Sequence, residues 1–168
     1  MVLSTIILII SFFIDNISSN LIAYTLTNSS ILMTIYTVVA LVVIYPYFDN
    51  DKKYLILTLA FGLLFDIASS NTFLLNTTIF FLIALIIKFI YMFLSDNVLT
   101  TIIISVIAIV LYYLLSYFIV IIVNYGDYPI FLLWEAIYKS LIMTIIYSVI
   151  LYFIAQILYN KFNIKFIK

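Results

Sequence analysis

The stretch FGLLFDIASSN, residues 61–71, sets a carboxylate, Asp66, into an apolar run one helical turn after Gly62, one of only two glycines in the chain. An ionisable group in hydrocarbon is costly and must find a partner or reach water. Two roles fit Asp66. It can lie near a helix end, reaching headgroups or capping an amide at the turn, or it can make a buried contact with another helix or a ligand. Gly62 favours the second, because a residue without a side chain lets a neighbouring backbone approach closely. A second constellation is FLLWEAIYKS, where Glu135 and Lys139 stand i,i+4 in the favourable order and face each other on a helix. That pair reads either as a self-neutralised surface pair or as a polar edge for a docking partner.

Catalysis finds little to work with. The chain holds no histidine and no cysteine, which removes zinc sites, thiol chemistry, imidazole bases and disulfides. Intramembrane serine proteases of the His-assisted kind and His-Glu-x-x-His metalloproteases are excluded for the same reason. Paired aspartates could in principle share acid and base roles. Lipoprotein signal peptidases use such a pair, but their Asn-x-Gly-Ala type motifs are absent here. Two glycines cannot build a phosphate-cradling loop. The expectation is a protein that is not an enzyme and needs no cofactor.

The elements that must position these residues are membrane helices. Of 168 residues 68% are hydrophobic and 8% charged, with seven lysines balanced by seven acids and a mean hydropathy of +1.36; soluble domains carry about 25% charge. The balance leaves no basic surface for nucleic acid. Charge-free runs from Asn16 to Phe48, Ile67 to Ile87, Asn97 to Gly126 and Ser140 to Asn160 each exceed the ~20 residues a span requires. With the polar clusters DNISSN and TLTNSS dividing the first run from an opening segment, the pattern predicts six helices in one domain, near 2–22, 31–48, 54–70, 72–94, 98–123 and 131–159. Ser69-Ser70-Asn71 forms a tight turn between the third and fourth. Runs such as IIISVIAIVLYYLL are apolar on every side, unlike barrel strands.

Lys52 and Lys53 between helices two and three, and Lys161, Lys165 and Lys168 after helix six, place both termini in the cytoplasm, because the loops near Asn28, Ser69 and Asp127 carry no lysine. The opening MVLSTIILII lacks a basic n-region and is expected to stay as helix one. Trp134, with Tyr125 and Tyr128, belongs to an interfacial aromatic belt. Lys88 is expected to snorkel to the inner headgroups. This orientation puts Asp66 in the outer half of the membrane, close to the turn between the third and fourth helices.

LTLAFGLLFDIASSNTFLLNTTIFFLIALI, Leu57 to Ile86, resembles the core signature of the rod shape-determining protein MreD family. In that signature a Gly-Leu-Leu-x-Asp run is followed by Leu-Asn and a hydrophobic helix. Gly62, Asp66 and Asn76 occupy the matching positions, while Ser70 and Leu74 stand where the family usually has glycines, and NSSIL around Ser30 replaces its Pro-Asp-Leu. Length and helix number are similar over the whole chain. The resemblance implies a non-catalytic subunit of the bacterial inner membrane that scaffolds MreC, and indirectly MreB, RodA and a class B penicillin-binding protein, during lateral peptidoglycan synthesis. It also implies an all-α fold similar to the substrate-binding subunit of energy-coupling-factor transporters. Vitamin capture by such a subunit is the alternative function. Against it, residues 2–21 lack the Ala-x-x-x-Ala docking pattern of those transporters. Partner-interface candidates are Gly62, Asp66, Asn76, Glu135 and Lys139.

The lysine distribution makes a direct prediction. Cysteines placed at Lys52 and Asn163 should resist a membrane-impermeant maleimide in intact cells, and one at Tyr125 should label. Labelling at Lys52 would overturn the six-span orientation.

Overall fold

The computed structural model describes residues 2–25, 35–69, 74–122 and 129–162. Among them the chain is all-helical: α1 (Val2–Thr25), α2 (Tyr36–Ile44), α3 (Asp51–Ser69), α4 (Leu75–Tyr91), α5 (Val98–Ile122) and α6 (Ile130–Lys161), with a 3₁₀ turn at Tyr45–Tyr47 closing α2. The sequence predicts this number and order. Two of these helices, α5 and α6, are long and apolar enough to cross a membrane.

Most boundaries fall close to expectation, and the exceptions have local causes. The second helix starts at Tyr36 rather than near residue 31, because Ile35 is extended at φ −95°, ψ 94°. It tightens at Pro46, which has no N–H to continue an α-helical ladder. The third begins at Asp51, earlier than its lysines suggest. The Asn50 side chain accepts from the Lys52 amide at 2.8 Å, and its carbonyl accepts from Lys53 and Tyr54, so the first turn is capped locally. Asn28, Ser70, Asn71, Tyr125, Asp127 and Tyr128 lie outside the described residues.

The central element is α2. Every residue from Tyr36 to Phe48 is buried, as expected for a helix that is apolar all round. Around it pack α1, α4, α5 and α6, while α3 reaches it through Tyr54, whose hydroxyl donates to the Leu41 carbonyl at 3.2 Å. The surrounding helices neighbour one another in the order α1, α3, α4, α5, α6. Long phenol arms link α6 back to α1, with Tyr159 and Ser4 hydroxyls 2.7 Å apart and Tyr147 and Ser11 2.8 Å apart. Each surrounding helix carries large apolar side chains on its outside, among them Phe13, Ile67, Leu85, Ile103 and Ile157. Water-soluble domains rarely present such a continuous apolar exterior.

Lys88 takes a protein partner instead of simply extending toward headgroups. Its Nζ lies 3.2 Å from Asp51 Oδ2, joining the last turn of α4 to the first turn of α3. Each charge stands at the favourable end of its helix dipole.

Because Ala40 is fully buried at the centre of the ring, Ala40→Leu should overpack it and cost about 1–3 kcal/mol. Thermal unfolding in detergent measures this. An unchanged midpoint would show that the centre has room the packing denies.

Candidate functional site

Three of the residues singled out from sequence converge where α3 ends and α4 begins. Gly62 faces the first turn of α4 so closely that a Cβ there would lie 2.6 Å from Thr77 Cα. Only glycine permits that approach. Asp66, one turn further on, then meets the start of α4 directly. Its Oδ1 accepts from the Asn76 amide at 2.8 Å and from Asn76 Nδ2 at 3.0 Å. Its Oδ2 accepts from the Thr77 amide at 2.9 Å and the Thr77 hydroxyl at 2.6 Å.

Leu74, the residue ahead of α4, has a left-handed backbone at φ 63° and supplies no side-chain cap. The first amides of a helix have no partner within it and carry partial positive charge. Asp66 therefore does from a neighbouring helix what a Ser or Asp usually does from the preceding residue. Asn76 passes the connection on, since its Oδ1 accepts from the Tyr112 hydroxyl of α5 at 2.6 Å. Asp66 and Asn76 are 6% and 3% exposed. Their hydrogen bonds described above lie within the chain, and on the outside of α3 it is Leu63, Leu64 and Ile67 that are exposed.

A second clamp repeats the first. Asp15 of α1 accepts from the Tyr36 amide on Oδ1 at 2.7 Å, and on Oδ2 from the Thr37 amide at 2.8 Å and the Thr37 hydroxyl at 2.5 Å. Ile35 ahead of α2 likewise offers no side-chain cap. In each hairpin, the carboxylate bridges two successive amides and the hydroxyl of the threonine that supplies the second. Sequence reasoning treated Asp15 only as part of a polar divider. The signal was present: Asp15 opens DNISSN and Asp66 opens DIASSN, each with a small residue, Ser11 or Gly62, one turn before it.

Glu135 and Lys139 lie elsewhere, on the first turns of α6, and pair with each other as their spacing predicts. Trp134 beside them is exposed. Chemically, each clamp is an acceptor already engaged by donors. Among the described residues no group of three or more acids, histidines or cysteines could hold a metal ion.

Compared with protein-family models, curated proteins and solved structures, the chain matches none of them.

The clamps predict a graded mutational series. Asp66→Leu strands buried donors at about 1–3 kcal/mol each, so its loss of stability should exceed that of Asp66→Asn, which keeps one carbonyl acceptor. Gly62→Ala should destabilise by about 1–3 kcal/mol through its clash with Thr77. Asp15→Leu should match Asp66→Leu. Thermal unfolding of the purified variants checks all four, and a wild-type midpoint for Asp15→Leu would break the equivalence of the two hairpins.

Proposed function

We propose that the chain is a multi-pass protein of the bacterial inner membrane with both termini cytoplasmic, and that it is a non-catalytic scaffold of the MreD kind for MreC and lateral wall synthesis. The observation that carries this reading is the convergence of Gly62, Asp66 and Asn76. The positions that bear the family resemblance are the ones that lock α3 to α4. A motif with that role serves a protein whose product is a fixed surface.

The apolar exterior and the two long apolar helices support membrane residence. Six spans and a fold like the energy-coupling-factor substrate subunit belong to the same proposal. In it, α4 with 17 residues is about 25 Å long, a little under the ~30 Å of hydrocarbon, and α6 with 32 residues projects beyond it. Partner helices then meet faces whose positions are set by the buried clamps. The Glu135–Lys139 pair at the start of α6 provides a polar edge for one of them.

Depleting the protein from a rod-shaped host should round the cells without creating a vitamin requirement. Restoration of shape and growth by one added vitamin would replace the scaffold with a transport subunit. At matched membrane levels, replacing Glu135 and Lys139 together by glutamine should reduce recovery of MreC severalfold; undiminished recovery would remove that edge from the interface.

A further inference from the structure

Away from the clamps, where α4 hands over to α5, stands an acid with the opposite surroundings. Asp66 and Asp15 gather four and three donors in the contacts above. Asp96 is half-buried, and its Oδ2, shielded from solvent, has no hydrogen-bond donor among the described residues. Its Oδ1 has only the Thr101 hydroxyl, at 3.5 Å, and that hydroxyl is 3.5 Å from the Tyr91 hydroxyl. Both distances lie at the outer limit of hydrogen bonding.

The groups that face Asp96 from the elements packed around this corner carry no charge at neutral pH. They are Tyr47 of the 3₁₀ turn, Tyr91 of α4, Tyr152 of α6 and Thr101 of α5. No described lysine pairs with Asp96: Lys53, Lys88 and Lys139 are paired with Asp49, Asp51 and Glu135. Tyr47 is stacked on Tyr159 at 3.6 Å, and the Tyr91 ring lies 5.3 Å from that of Tyr45, so drawing either hydroxyl up to Oδ2 displaces a packed ring. An ionised carboxylate in this position lacks the donors that offset its desolvation, whereas the neutral acid has less need of them. Burial accordingly raises the Asp96 carboxyl above its ordinary value of 3.8, with the Thr101 hydroxyl opposing.

We propose that Asp96 is a pH-sensitive latch: neutral, it lets α4, α5, α6 and the 3₁₀ turn close around it, and ionised, it loosens the α4–α5 corner so that water reaches Oδ2. A carboxyl that holds its proton more tightly in the fold than in the unfolded chain adds stability below its ordinary value, and that stability is lost as pH rises through the folded value. Acid therefore closes the corner and alkali opens it. The latch depends on neither the scaffold role nor the orientation proposed above, so its failure and the loss of MreC binding are separate outcomes.

Hydrogen exchange of the full chain in detergent reads the corner at the amides of Thr100 and Thr101, which donate to Asn97 Oδ1 at 2.8 Å and to the Asn97 carbonyl at 2.9 Å. Corrected for intrinsic exchange, their protection should fall about tenfold or more between about pH 4 and about pH 8 in the wild type. In Asp96→Asn, which keeps the shape without the charge, it should stay level. Thr101→Val removes the donor that opposes burial and should move the fall to higher pH, which a merely structural role for Asp96 does not produce. At neutral pH, Asp96→Asn should also unfold at a higher temperature than the wild type. Wild-type protection that ignores pH, an equal fall in Asp96→Asn, a fall that Thr101→Val fails to move upward, or an Asp96→Asn midpoint no higher than the wild type would each overturn the latch.

Discussion

A helix that begins inside an apolar bundle must find acceptors for its first amides, since no water is there to serve them. The architecture follows from how that demand is met at α2 and α4. Neither is capped by the residue before it, and each is closed by an aspartate one helix earlier. The acids that look costly in an apolar chain are thereby matched to the groups that most need them. Each contact also fixes geometry, because two adjacent amides and a hydroxyl on one carboxylate define both the height and the rotation of the incoming helix. The Asn76 to Tyr112 bond then carries the α3–α4 arrangement to α5.

Much of this was legible in the sequence, for a physical reason. Long apolar runs interrupted by lysines and polar clusters announce helices whatever their neighbours do, so six were predicted and six are described. Starts were less legible. The onset of α2 is decided by Asp15, more than twenty residues upstream, and no local propensity at residues 31–36 encodes it. Gly62 and Asp66 were recognised as a unit, but whether they face a partner or the chain's own next helix is a question of tertiary approach, which spacing does not contain. Lys88 illustrates the same limit: its charge was visible, and Asp51 as its counterion was not. The repeated aspartate was a pattern available in the letters, obscured because its two copies sit in helices of different length, 24 residues in α1 and 19 in α3.

The two carboxylates also clarify why tyrosine is so abundant, at 15 residues. Tyr54, Tyr112, Tyr147 and Tyr159 each span between helices with a hydroxyl that meets a carbonyl, an amide oxygen or a serine. A phenol offers apolar area along its length and one hydrogen bond at its tip. In a chain with few charges, these arms supply the directional contacts that apolar packing lacks.

The burial of α2 has a consequence for how the protein is made. This helix is buried along its whole described length and exposes no large apolar side chain outward, so lipid is no substitute for its protein neighbours. During synthesis it leaves the ribosome ahead of α4, α5 and α6, three of the helices that cover it. Its final surroundings do not yet exist when it is made. Of the helices that pack most on the second helix, only α1 precedes it, so its packing is completed when the later helices close around it. Biogenesis of this fold therefore ends with enclosure of an early segment, and the last helices to arrive complete the core.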